Sequence, residues 1–213
     1  MSHQLIYTWP LPDTQAICLL QSLGSAGNLS INGHLANTPT AYGGVVFTGI
    51  SRTISLTSTN DLSAVSFTIN GIYNGASVSQ TILGPNNNTV YTTSIFDVIT
   101  SVSSNGAVSN VSVGSGLTGQ THWFKYNYNQ DISIFSVQVI VGGTINYTFN
   151  ITSNDIKSVV SPTLTAPIPV VTNSTTTQFQ SFPAIPFYYG NVTVNSSGSS
   201  GSVNIIITQT GGC

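Results

Sequence analysis

Five aspartates, Asp13, Asp61, Asp97, Asp131 and Asp155, are the only acidic side chains in this sequence, so any acid–base chemistry would rest on them. Two carboxylates held at the right separation are what glycoside hydrolysis uses. Asp61, after Asn60, and Asp131, after Gln130, instead carry the mark of turns, where a short acid accepts hydrogen bonds from nearby backbone amides. Asp97, inside SIFDVIT, is the one carboxylate that a strand places awkwardly. Arg52 is its expected partner, in a structural or intersubunit ion pair, and no His or Lys lies near it in sequence to make it catalytic. The histidines His3, His34 and His122 are isolated from one another and from Cys18 and Cys213, so no zinc-ligand spacing exists. Calcium needs clustered oxygen ligands, and there is no Asp-x-Asp-x-Asp loop. The expectation is no catalytic residue, no metal and no cofactor, in a protein that is not an enzyme. Cys18, in AICLL, reads as a small buried hydrophobe.

Aromatic residues are the other side chains with something to offer. Trp123, Phe124, Tyr126 and Tyr128 lie together, as do Phe187, Tyr188 and Tyr189. Exposed, such faces stack on sugar rings or anchor another protein. In a strand, alternate residues share a face, which sets Phe124, Tyr126 and Tyr128 opposite Trp123 and Lys125. That continuous aromatic face fits core or a subunit interface as well as a ligand. Trp123, Phe124, Tyr126, Tyr128, Tyr188 and Tyr189 are the candidate contacts for an interface or a glycan.

The elements that must position these residues follow from composition. Charged residues are 4% of the chain, against about 25% in ordinary domains, yet hydrophobic residues are 40%. Disorder needs the opposite balance. Ser, Thr and Asn supply the polar surface, and Val, Ile, Thr, Tyr and Phe fit a pleated sheet where helix formers are scarce. The fold class is all-β. Net charge is −2, and Arg52, Lys125 and Lys157 are scattered, which leaves no field for nucleic acid. No apolar run approaches the roughly 18 residues of a membrane helix. The first 21 residues lack a basic start and an uninterrupted apolar stretch, so a soluble protein made in a cytoplasm is expected. Eight Asn-x-Ser/Thr triplets, at Asn28, Asn87, Asn110, Asn146, Asn150, Asn173, Asn191 and Asn195, read as chance products of the composition rather than glycosylation sites.

Period-two alternation begins at residue 44. Val45, Phe47, Ile54 and Leu56, then Val65, Phe67, Ile69 and Ile72, then Val90, Ile95, Val98 and Val102 fall on the expected buried side. GPNNN at 84–88 is a loop, Asn105-Gly106 fits a type I′ hairpin turn, and GSGLTGQ at 114–120 is the best linker. A second series follows. Ile132, Ile134, Val137, Val139 and Val141 compete for one core face and Ile145, Tyr147, Phe149 and Ile151 for another, the two strands joined at Gly142-Gly143 in a tight hairpin. Pro162, Pro167, Pro169, Pro183 and Pro186 disfavour central strands over 161–186 and suggest an ordered excursion or arm. Val203, Ile205 and Ile207 belong to a closing hairpin. The expected organisation is a segment 1–43 placed to contact a neighbouring subunit, a β-sandwich or jelly-roll-like unit over 44–116, and another over 120–213. One merged sandwich is the alternative.

The stretch from Arg52 to Gly116, with its RTISLTS strand, GPNNNTV loop, DVITSVS and closing VSVGSG, resembles a module of uncharacterised structural proteins of tailed bacteriophages and prophages. FSVQVIVGGTINYTFNIT, Phe135 to Thr152, and GSVNIIITQTG, Gly201 to Gly211, resemble the carboxyl half of the same proteins in the same order. Residues 1–43 and the proline-rich stretch are unmatched. The resemblance implies a virion protein, a decoration (cement) or minor capsid protein stabilising the head, with the major capsid protein and other virion proteins as partners and homo-oligomeric assembly. A neck or tail component, or a carbohydrate-binding receptor module, is the alternative. It implies no catalytic residue.

Overall fold

The computed structural model describes residues 2–9, 11–36, 44–47, 50–125, 132–152, 167–182, 189–198 and 202–211. These residues form strands without a helix. In chain order the strands are β1 (Ser2–Trp9), β2 (Cys18–Leu23), β3 (Gly27–Asn28), β4 (Val45–Val46), β5 (Ile50–Ser58), β6 (Ser66–Tyr73), β7 (Ala76–Leu83), β8 (Thr89–Tyr91) and β9 (Val98–Ser104). They continue with β10 (Val108–Thr121), β11 (Phe124–Lys125), β12 (Ile132–Gly142), β13 (Ile145–Thr152), β14 (Ile168–Ser174), β15 (Gln178–Phe182), β16 (Tyr189–Ser197) and β17 (Ser202–Gly211). The fold is all-β and built as β-sandwich-like layers, as the composition requires. Two compact units emerge, one from residues 12–119 and the other from 1–11 together with 120–213. Residues 1–43 are therefore shared between units, with β1 in one and β2 and β3 in the other.

The 12–119 unit has two sheets. One runs β3-β9-β6-β7 with β4 also on β9; the other joins β2, β10, β5 and β8. Ile54, Leu56, Val111 and Val113 from the second meet Val45, Phe67, Ile69, Ile99 and Val102 from the first in one buried cluster with Ile17 and Cys18. The alternation read from the sequence is what makes this core, since every second side chain of a strand faces the same way. Val65, Ile72, Val90 and Ile95 are only half-buried.

Two local readings in this unit need correction. GSGLTGQ is strand, the later part of the 14-residue β10, although the boundary between the two units does fall inside it, after Gly119. Its glycines allow close backbone approach: a Cβ on Gly114 would stand 2.0 Å from the Asp13 carbonyl oxygen, and one on Gly116 2.2 Å from Thr53 Oγ1. Asn105-Gly106 does not close a hairpin, because β9 and β10 belong to different sheets and neither residue has positive φ. Instead the Asn105 side-chain oxygen accepts from Ser66 N at 2.8 Å. The two-residue hairpin turn is Asn74-Gly75, at φ 50° and 77°, between β6 and β7 with Tyr73 opposite Ala76, and it meets the positive-φ demand of a type I′ turn.

In the other unit one sheet runs β1-β17-β12-β15, and β14-β13-β16 form part of another, with β11 on β16. Its buried side chains come from both: Trp9, Val137, Val139, Val203 and Ile205 from the first, and Ile145, Tyr147, Phe149, Val192 and Val194 from the second. Two expected hairpins are not formed: Gly143, at φ 67°, leads from β12 to β13, but these strands lie in different sheets, and so do β16 and β17, so neither Gly142-Gly143 nor the final pair of strands closes a hairpin. Val141 is half-buried, and the side chains of Ile132, Ile134 and Ile207 lie outside the described residues. Within the proline-rich stretch the described residues form β14, which carries Pro169, and β15, each at the end of its sheet. An end strand can lose the N–H that proline lacks, and a central strand cannot. Pro162, Pro183 and Pro186 lie outside the described residues.

Candidate functional site

The aspartates within the described residues hold backbone in place. Asp61 Oδ1 accepts from Ser63 N at 3.0 Å and Ser63 Oγ at 2.7 Å, the turn geometry expected of it. The Ser63 hydroxyl bond, then the Ser63 amide bond, lower its pKa. Asp97 accepts from the Ser51 hydroxyl and, at 2.7 Å, from Asn74 N, pinning the β6–β7 hairpin. Arg52, the partner expected for Asp97, lies on β5 at 2% exposure and donates from Nη2 to the Gly116 carbonyl at 2.8 Å. Burial lowers its pKa to about 10, so the guanidinium stays charged at neutral pH. Asp13 Oδ1 accepts from Gln15 N at 2.8 Å, and its Oδ2 lies 2.6 Å from His34 Nδ1. Both partners of that pair are solvent-accessible, and exposed pairs contribute little to stability. Asp131 and Asp155 lie outside the described residues. Among the described residues no group of three His, Cys, Asp or Glu could hold a metal ion.

Of the aromatic candidates, Phe124 and Tyr189 are core side chains, at 3% and 2% exposure. They enter through β11, which pairs Phe124 with Gly190 and Lys125 with Tyr189. Phe124 stacks on Phe149 with ring centroids 6.3 Å apart and planes within 6°, an arrangement that serves packing. Trp123 is half-buried and Lys125 exposed. Tyr126, Tyr128 and Tyr188 lie outside the described residues. The structure thus brings Phe124 together with β16 and places Phe124 and Tyr189 in the core.

Two features were not legible as sites. The first is a polar array on β13, β14 and β16. Asn195 Nδ2 lies 2.8 Å from Asn146 Oδ1, 2.8 Å from Thr148 Oγ1 and 2.9 Å from Asn173 Oδ1. Asn150 Nδ2 donates to Asn191 Oδ1 at 3.1 Å. The triplets at Asn146, Asn150 and Asn191 enclose Tyr147, Ile151 and Val192, all buried. Their Asn-apolar-Thr pattern is therefore strand alternation itself, with the amide and hydroxyl on one face and the core residue on the other.

The second feature is where the exposed apolar side chains sit. Leu83 on β7, Tyr91 on β8, Ile168 on β14 and Phe179 on β15 are all exposed, and each belongs to the last strand of its sheet. Leu20, on the side strand β2, Ile140, on the inner strand β12, and Leu11, outside the strands, are exposed too. Single exposed apolar residues are ordinary; their concentration at sheet ends is what stands out, because an end strand already presents unpaired backbone groups. Hydrophobicity alone could not have located them, since only the strand order says which strands are ends.

No family model and no curated protein matches the chain. Among solved structures, a chain of "Structure of infectious bursal disease virus Gt strain" aligns with all of this chain and 77% of its own, at 12% identity and a TM-score of 0.17. A superposition that loose bears on neither fold nor function.

Proposed function

We propose that this chain is a non-enzymatic structural protein of a virus particle, of the tailed-bacteriophage kind, acting as a decoration or minor capsid protein that stabilises the head. The observation that carries the reading is the placement of Leu83, Tyr91, Ile168 and Phe179 on end strands. Apolar side chains beside unpaired backbone groups form a surface ready to be covered by another protein. The surface of a chain with only 4% charged residues can be covered while stripping water from few ions, the largest cost of burying polar groups. Hydroxyls and amides do the polar work instead, as in Ser55 Oγ to Ser115 O at 3.4 Å and Thr57 to Thr89 at 2.8 Å. The ordered resemblance over residues 52–116, 135–152 and 201–211 supplies the virion context. In this reading the partners are copies of the chain and other virion proteins such as the major capsid protein, and the chain resides in the virion after assembly in the host cytoplasm.

A neck or tail position is the second reading, since resemblance and surface fit it equally. A glycan-binding module is less favoured, because Phe124 and Tyr189 are buried. Immunogold labelling of intact particles with antibody to this chain separates them. Gold spread over heads is the expected result; gold confined to neck or tail moves the assignment to the second reading. Particles that stay unlabelled by an antibody proven against the folded protein overturn the virion assignment.

A further inference from the structure

We propose that β1 is an exchangeable strand: residues 2–9 of one copy complete the β17 edge of a second copy, joining neighbouring subunits by main-chain pairing. The inference deepens the assembly reading and rests on it for the crowding that favours exchange.

Three observations meet at this strand. First, β1 is an end strand. Among the described residues it pairs antiparallel with β17 alone, from Ser2 opposite Thr210 to Trp9 opposite Val203, without a register shift. Second, β1 is remote in sequence from its own unit, because residues 12–119 fold as the other unit before the chain returns at 120. Backbone pairing with β17 and the buried indole of Trp9, at 1% exposure, hold it in that unit. Third, the exit from β1 reads Trp9-Pro10-Leu11-Pro12. Both Trp9 and Leu11 precede a proline and are driven toward extended backbone, and each proline removes a donor that a tight, hydrogen-bonded return would use. Such a hinge favours a straight lead-out, and Leu11 within it is 55% exposed.

The occupant follows from the same pairing. A second copy carries an identical β1, so an exchanged strand makes the same eight backbone pairs and buries the same Trp9. Exchange then costs only hinge conformation and association entropy. That is the reason domain swapping is a low-cost route to oligomers, and the reason a high local concentration of copies, as in an assembled shell, tips it. Strand addition to a sheet edge is also a common mode of recognition.

Full-length chains with single cysteines test this. Thr8 and Asn204 are register partners, and directly opposed residues of antiparallel strands stand about 4.5–5.5 Å apart at Cα, within disulfide range. In a Cys213→Ser background, a Thr8→Cys chain enlarged by a tag is co-expressed with an untagged Asn204→Cys chain, and the assembled protein is oxidised. A mixed disulfide, running at the combined mass and exceeding the symmetric dimers, is expected. The Thr8→Cys, Asn204→Cys double variant reports the closed arrangement. Closure of the double variant within one chain, with no mixed dimer from the single variants, would overturn strand exchange. Failure of both to close would overturn it as well, because β1 would not then lie on β17. Either failure leaves the gold-labelling result untouched, so strand exchange and the virion reading fall separately.

Discussion

The two units reach similar ends by different routes through the chain. The 12–119 unit is one continuous stretch. Its β10 is held close to its neighbours by glycines that leave no room for a side chain, and by hydroxyls that reach the carbonyls of β10, as Thr53 does to Thr118 at 3.1 Å and Ser58 to Ser109 at 3.2 Å. The other unit draws its strands from both ends of the sequence and sets the amides of Asn146, Asn195 and Asn173 side by side on β13, β16 and β14. A continuous stretch orders itself with short loops. A discontinuous one must bring distant segments together before any contact repays the lost chain entropy. The unit that contains β1 thus draws on a strand remote in sequence, whereas the 12–119 unit relies on tight backbone spacing.

The largest test of that contrast is Trp9→Ala. Removing a fully buried aromatic costs about 3–5 kcal/mol. Hydrogen exchange followed by mass spectrometry should show faster exchange in β12, β13, β16 and β17 than in β5, β6 and β9, although Trp9 adjoins residues 12–119 in sequence. Exchange that rose first in residues 12–119 would break the comparison. Gly114→Ala makes the reciprocal perturbation. Its Cβ would meet the backbone of Asp13 and Thr14 at 2.0–2.5 Å, a clash expected to cost about 1–3 kcal/mol, read as a lower denaturation midpoint with exchange gained in β2, β5 and β10.

A smaller effect separates the units by pH. Burial raises the Cys18 thiol from 9.0 to about 12, so the folded state keeps a proton that the unfolded chain releases above pH 9. Its contribution is complete below pH 9 and fades as pH rises toward 12. Between pH 8 and 9.5 the Cys213→Ser protein should lose about 1 kcal/mol that the Cys18→Ala, Cys213→Ser protein does not, measured by urea unfolding at each pH. Arg52 acts with opposite sign: its folded pKa is lowered to about 10, so its influence favours the folded state only as pH rises beyond that value. Native Cys18 should likewise resist thiol reagents at pH 8. The smallest change in stability is expected from Phe179→Ser. This side chain is 63% exposed on end strand β15, so the denaturation midpoint should move by less than about 0.5 kcal/mol in free energy while self-association measured by sedimentation weakens. Unaltered association would remove Phe179 from the proposed contact surface.

Much of the core was legible because strand alternation has period two. Phe67, Ile69, Val98, Val102, Ile145, Phe149 and Val203 were all marked by their spacing and are buried. Asp61 was legible as a turn residue for an equally local reason: its bonds reach only two residues ahead. Phe124 was marked as aromatic on one face, but whether that face was core or ligand depended on Phe149, 25 positions away. The hairpin turn was misplaced because several Asn-Gly pairs carry the same local signal, and only pairing of the flanking strands distinguishes Asn74-Gly75 from Asn105-Gly106. Glycines in GSGLTGQ looked like flexibility. They mark close approach, which is visible only when Asp13 and Thr53 are in place.

By itself the sequence determined the all-β class, the polar surface of hydroxyls and amides, and the side of most strands that faces inward, since each depends on residue type and on neighbours one or two positions away. Tertiary structure alone decided which strands end their sheets, and so where Leu83, Tyr91, Ile168 and Phe179 expose apolar surface. It decided also that β1 joins β17 across two hundred residues of chain, because backbone pairing is blind to sequence separation and a strand's hydrogen bonds carry no mark of which partner will take them.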